Sequence, residues 1–187
     1  MKRSMFWVLF ALTLSVYATM LAWSLPSVSA AAGGLAPFDM RPGGYSFAEA
    51  QAFLDALTPA GAAFYGAVQQ RLDIAYPAMI ALTLFFAIAA LAPKRIGRWR
   101  WALGATAVPI ALFDYLENHA VAGLIEAGSA RITPAMVEGA SQWTVLKSTA
   151  TSVAMTLLLV LLCVKAGAFV VRRWQAPART GTQRAHA

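Results

Sequence analysis

Between Asp73 and Lys94 the chain carries no charge: IAYPAMIALTLFFAIAALA is broken only by Tyr76, Pro77 and Thr83. A helix needs about 20 such residues to cross the hydrocarbon core of a bilayer, and lipid offers backbone groups no partner outside the helix itself. The run reads as a membrane span, and three others read the same way. Together they predict spans over about 5–25, 73–92, 101–126 and 143–171. The chain is 59% hydrophobic and 12% charged, against about 25% charged in soluble domains, so an ordinary soluble fold is excluded. The expected fold class is all-α, a four-transmembrane-helix bundle with a short outward-facing amphipathic helix between spans 1 and 2. Residues 1–174 form one integral membrane domain, followed by a disordered cytoplasmic tail over 175–187.

The net charge of +7 would suit nucleic acid only with a basic face or a recognisable binding module. The bases instead cluster at span ends: Lys2 and Arg3; Lys94, Arg95, Arg98 and Arg100; Arg172 and Arg173. This positive-inside pattern predicts a bacterial inner-membrane protein, both termini and the 93–100 loop cytoplasmic, with the lipid bilayer as its surroundings and no nucleic acid as partner. No Asp or Glu falls in a segment assigned to the cytoplasm. Cys163 is the single cysteine, which excludes an internal disulfide and CxxC chemistry. Inside LLLVLLCVKAG it is expected to be a buried small hydrophobe.

The first run ends near Val28-Ser29-Ala30, a sequence like a signal-peptidase site. Its apolar stretch exceeds a signal h-region and is long enough to anchor, so an uncleaved helix is expected. A Gly- and Pro-rich loop follows, and the outward loop and helix occupy 26–72. Ser46 and Glu49 have capping-box spacing, and the helix they open is expected on the membrane surface. Thr58-Pro59 and Thr133-Pro134 are further helix starts. Pro77 withholds a hydrogen bond from the Asp73 carbonyl, which predicts a kink. Phe38, Tyr45, Phe53, Phe64 and Tyr65 are expected as interface anchors or the lining of a lipid-facing mouth.

Within the third run the segment DYLEN sets Asp114, Glu117 and Asn118 on one helix face. Counting about 1.5 Å per residue puts them in the outer half of the bilayer. On the last helix Thr144, Lys147, Ser148, Thr151 and Ser152 form a polar stripe whose Lys147 is level with Glu117. Asp73 approaches the same layer from the second span. Charges at such depth face the bundle interior and pair, so Lys147 is expected to meet Glu117. Asp73 and Asp114 are then left with only Arg71, Asn118 and hydroxyls nearby. One of them is protonated, or a cation or second donor belongs there.

The candidate polar cluster is therefore Asp73, Asp114, Glu117, Asn118, Lys147 and Thr151. His119 lies on another face from Asp114, no haem or zinc ligand set is present, and the acids match no established calcium loop, so no metal site is assigned and the cofactor is unknown. No GxSxG elbow supports serine chemistry.

FDMRPGGYSFAEAQAFLDAL, RLDIAYPAMIALTLFFAI, LFDYLENHAVAGLI and WTVLKSTATSVA together resemble a group of small, uncharacterised bacterial four-helix integral membrane proteins with a D-x-x-E-N element in the third span. The resemblance covers roughly residues 35 to 160 and implies the fold without an activity. Three functions remain open. The first is a non-catalytic subunit or binding module whose buried Asp/Glu/Asn/Lys network fixes helix packing and whose outward helix meets a lipid or a membrane-protein partner. The second is an enzyme acting on a lipid-like substrate, with Asp114 or Glu117 as general acid/base and Lys147 stabilising negative charge. The third is a small ion or proton transporter, disfavoured by the apolar inner halves of the spans.

Overall fold

The computed structural model describes residues 2–175. Five helices account for most of them, and no strand occurs among the described residues. Helix α1 spans Arg3–Ala31, α2 Phe47–Ala56, α3 Pro59–Leu91, α4 99–127 and α5 Pro134–Gln175. Three of these, α1, α3 and α5, are long and apolar enough to cross a membrane, as expected of a membrane protein. Helix α4, which carries Asp114, Glu117 and Glu126, is not among them. Apart from Gln175, the expected tail over 175–187 lies outside the described residues.

Local chemistry sets the helix starts. Ser46 and Glu49 form the reciprocal capping box at α2, and the Thr58 hydroxyl accepts from Gly61 N–H at the start of α3. Thr133 accepts from Met136 N–H at the start of α5. Where sequence placed the first span at 5–25, α1 continues to Ala31, and Val28 and Ala32 at its end are fully buried. Pro109 has no N–H for the Ala105 carbonyl, and α4 tightens into a 3₁₀ turn over Ala105–Ala107 before resuming.

Three layers stack along the bundle. At the end bearing residues 32–58, Val28, Phe38, Phe53, Leu124 and Val137 form an apolar cluster. At the opposite, basic end, Leu84, Ile88, Ile110, Ala154 and Leu161 form another. On α3, α4 and α5 alike, the polar residues lie between the two: Asp73 between Tyr65 and Leu84, Glu117 between Ile110 and Leu124, and Thr144 between Val137 and Ala154.

Close approaches of small residues fix this stacking. A Cβ added at Gly104 would stand 2.7 Å from the Phe85 carbonyl oxygen, so the missing side chain lets α4 meet the α3 backbone. Gly44 combines a φ of 85° with a site 2.6 Å from the Ser141 hydroxyl oxygen. That lets the next residue, Tyr45, donate its N–H to Ser141 Oγ at 2.8 Å, tying the loop before α2 to α5.

Two expectations are corrected. Phe38, Tyr45, Phe53 and Tyr65 do not anchor in an interface. They are buried in the apolar cluster, together with Ala50 and Leu54 of α2, because the Gly- and Pro-rich loop folds back over the bundle end. The apolar side of α2 is thus taken up by protein. Cys163 is exposed rather than buried, as are all residues of α5 from Leu162 to Trp174, although Lys165 Nζ still donates to the Ala90 carbonyl of α3 at 3.2 Å.

Candidate functional site

Helical spacing of three and four residues brings Asp114, Glu117 and Asn118 onto the face of α4 that meets α3 and α5. Lys147 Nζ of α5 pairs with Glu117 Oε2 and stands 4.0 Å from Asp114 Oδ1. Thr144, one turn earlier on α5, donates to the other Glu117 oxygen at 2.6 Å. Glu117 is completely buried, so its charge depends on these two neighbours alone.

Asn118 solves a backbone problem on another helix. Pro77 lies inside α3 and cannot donate to the carbonyl of Asp73. Asn118 Nδ2 donates to that carbonyl at 3.1 Å and to Asp114 Oδ1 at 3.1 Å. Tyr115 adds a hydrogen bond of 2.9 Å to the next carbonyl, that of Ile74. The proline disturbance in α3 is closed by two side chains of α4.

A second chain of donors starts on α1. Both α1 and α3 widen into a π-helical turn, at Met20–Ser24 and Tyr65–Gln69, where Leu25 and Gln70 donate to the carbonyls five residues back. The extra residue turns Ser24 and Gln69 inward, and Ser24 Oγ donates to Gln69 Oε1 at 2.5 Å. Gln69 Nε2 in turn donates to Asp73 Oδ1 at 3.1 Å.

Of the six residues expected in the cluster, five meet: Asp73, Asp114, Glu117, Asn118 and Lys147. Thr151 does not join them; its hydroxyl bonds the Lys147 carbonyl of its own helix at 2.8 Å. Arg71, expected beside the acids, is exposed, as is His119. Asp39 was not expected here, and Tyr65 was expected only as an interface anchor or the lining of a lipid-facing mouth. Tyr65 donates to Asp39 Oδ2 at 2.6 Å, and this pair sits beside Asp73. Asp39 belongs to a loop whose return to the bundle has no periodic signal in the sequence.

A cleft of about 270 Å³ opens between α3 and α4, lined by Asp39, Tyr65, Gln70, Asp73, Asn118 and Glu126 with apolar Val121 and Ile125. A more open groove of about 590 Å³ runs between Tyr45–Phe47 and the first turns of α5. Only the first touches the buried polar layer. The Tyr45 hydroxyl, near the groove, is buried without a hydrogen-bond partner among the described residues, and burial holds its phenol well above the ordinary range. Among the described residues no group of three or more His, Cys, Asp or Glu is arranged to hold a metal ion.

Fold and site together define an all-helical protein with three candidate membrane spans and a buried polar layer joined to a small acidic cleft. Comparison with protein-family models, with curated proteins and with solved structures gave no match.

Proposed function

We propose that the chain is a four-span bacterial inner-membrane protein that acts as a non-catalytic binding module, taking a small polar group into the cleft between α3 and α4. In this reading α4 is the third span, both termini and the loop around Lys94 and Arg95 are cytoplasmic, and the cleft lies in the outer half of the bilayer. The exposed bases Lys94, Arg95 and Arg98 between α3 and α4 support that orientation. The chain would then belong with the small four-helix membrane proteins whose D-x-x-E-N element it shares.

One observation carries the binding role: the polar layer divides. Asp114, Glu117 and Lys147 satisfy one another away from the cleft, while Asp73 and Asn118 line it. An enzyme using Asp114 or Glu117 would need them open to substrate, and neither lines the cleft. A transporter would need polar groups to continue past Ile88 and Ile110, where the packing is apolar.

Native mass spectrometry of protein released from its own membrane tests the role. The wild type is expected to carry a bound lipid or small molecule that Ala122→Trp, in the cleft wall, loses. Gly66→Leu is a second blocking variant, since nothing lies within 4 Å of a Cβ at that position. Equal occupancy in wild type and both variants would reject the cleft as a binding site. Topology is read separately by impermeant thiol labelling in a Cys163→Ala background. Asp55→Cys and Ser129→Cys are expected to label in intact cells and Arg95→Cys only after permeabilisation; labelling of Ser129→Cys from inside alone would remove α4 from the spans.

A further inference from the structure

The charges around the cleft do not balance. Lys147 is committed to Glu117 and Asp114. Arg41 is held by the Ala36 carbonyl and Glu49, and Arg131 by the carbonyls of Glu126 and Ala127. Arg71 on α3 is exposed, and no Lys or Arg lines the cleft. Asp39 and Asp73 therefore have only neutral donors, the Tyr65 hydroxyl and the Gln69 amide.

Asp73 is 6% exposed, and Gln69 reaches only its Oδ1; among the described residues no donor reaches Oδ2. A carboxylate largely removed from water and half satisfied is costly unless a proton or a positive partner neutralises it. The cleft supplies the space for one. Its opening carries Glu126, a third acid, and its wall of Val121, Ala122 and Ile125 suits an apolar stem.

Resting on the binding reading above, we infer that this cleft takes a protonated amine bearing N–H groups, held between the carboxylates of Asp39 and Asp73. An anion would meet three carboxylates and no Lys or Arg. A divalent cation needs several converging oxygen ligands, and among the described residues no three His, Cys, Asp or Glu side chains are grouped to hold one. A quaternary ammonium group needs a cage of aromatic faces, whereas Tyr65 is the only aromatic residue lining the cleft. A primary ammonium needs only acceptors at hydrogen-bond distance, and it neutralises the charge that the protein leaves unpaired.

The test uses the full chain in phosphatidylcholine nanodiscs, with thermal unfolding followed as phosphatidylethanolamine is added to the bilayer or ethanolamine to the buffer. Tetramethylammonium chloride at equal ionic strength is the control. The amine is expected to raise Tm by about 5 °C at saturation. Asp73→Asn and Asp39→Asn lose the increase, while Glu138→Gln, outside the cleft, keeps it. A response to phosphatidylethanolamine alone identifies a lipid headgroup as the source; a response to ethanolamine alone identifies a soluble amine. An equal response to tetramethylammonium, no response to either amine, or an unchanged response in both Asp variants overturns the inference. If the amines fail while Ala122→Trp still strips a bound molecule from the protein, the amine class falls and the binding site stands. If nothing bound is sensitive to Ala122→Trp, both fall.

Discussion

Asn118 donates its side-chain amide to the Asp73 backbone carbonyl at 3.1 Å, the carbonyl that Pro77 leaves without its helical donor. A residue that reads from sequence as part of a charged cluster thus completes the hydrogen bonding of a neighbouring helix. Irregular backbone in a membrane helix is tolerated where a neighbour satisfies the freed groups.

The pairing predicts a specific coupling. Asn118→Leu should destabilise by about 1–3 kcal/mol, since it strands both a carbonyl and one oxygen of Asp114. In a Pro77→Ala background residue 77 regains its N–H, so the same change should cost measurably less. A double-mutant cycle on thermal unfolding in detergent reads the difference; additive effects would mean that Asn118 acts through Asp114 alone.

Gly104→Ala should destabilise by about 1–3 kcal/mol, because the new methyl would stand 2.7 Å from the Phe85 carbonyl oxygen and part α3 from α4. Backbone cannot rotate aside as a flexible side chain can. Gly123→Ala, with nothing within 4 Å of its Cβ, is the comparison and should leave Tm unchanged or slightly raised.

Ser46→Ala should remove about 1 kcal/mol from α2 by uncapping it, read as faster amide exchange across Phe47–Ala56. Glu49 adds a pH dependence. Hydrogen bonds from the Ser46 backbone and hydroxyl, with Arg41 nearby, hold its carboxyl below the usual value of 4.5. The folded pKa is depressed, so the contribution is present above the unfolded value and lost as pH falls through the folded one. Exchange protection of α2 should fall below about pH 4.5 in the wild type and do so less in Glu49→Gln.

The buried pair should behave as a unit. Lys147→Met leaves Glu117 and Asp114 facing each other without a cation, and the expected cost is about 3–5 kcal/mol. Combining it with Glu117→Gln should recover part of that loss. A double variant as unstable as the sum of the singles would show that the ion pair contributes nothing as a pair.

Much of this arrangement is legible from sequence where the determinant is local. Ser46, Thr58 and Thr133 mark helix starts through contacts within three residues, and the depth of Lys147 opposite Glu117 follows from constant helical rise. Asp39 and Tyr65 were beyond reach because their meeting depends on where an irregular loop returns. The π-helical turns at Ser24 and Gln69 were hidden for a related reason: each brings a polar side chain to a partner on a different helix. Cys163 misled because an apolar run has the same composition whether it faces protein or lipid. Phe38 and Phe53 misled in the opposite direction, since aromatic residues in a membrane loop serve equally as interface anchors or as the core of a folded cap.

The central claim is that the polar layer has two parts, one kept for packing and one for binding, and the thermal stability of Asp73→Asn beside Glu117→Gln tests it most directly. Glu117→Gln should lower stability by about 3 kcal/mol, because Lys147 loses its nearest counter-charge. Asp73→Asn keeps an oxygen for Gln69 and removes an uncompensated charge, so without ligand its Tm should equal or exceed that of the wild type. If Asp73→Asn instead unfolds as readily as Glu117→Gln, the Asp73 carboxylate holds the fold together and the division fails.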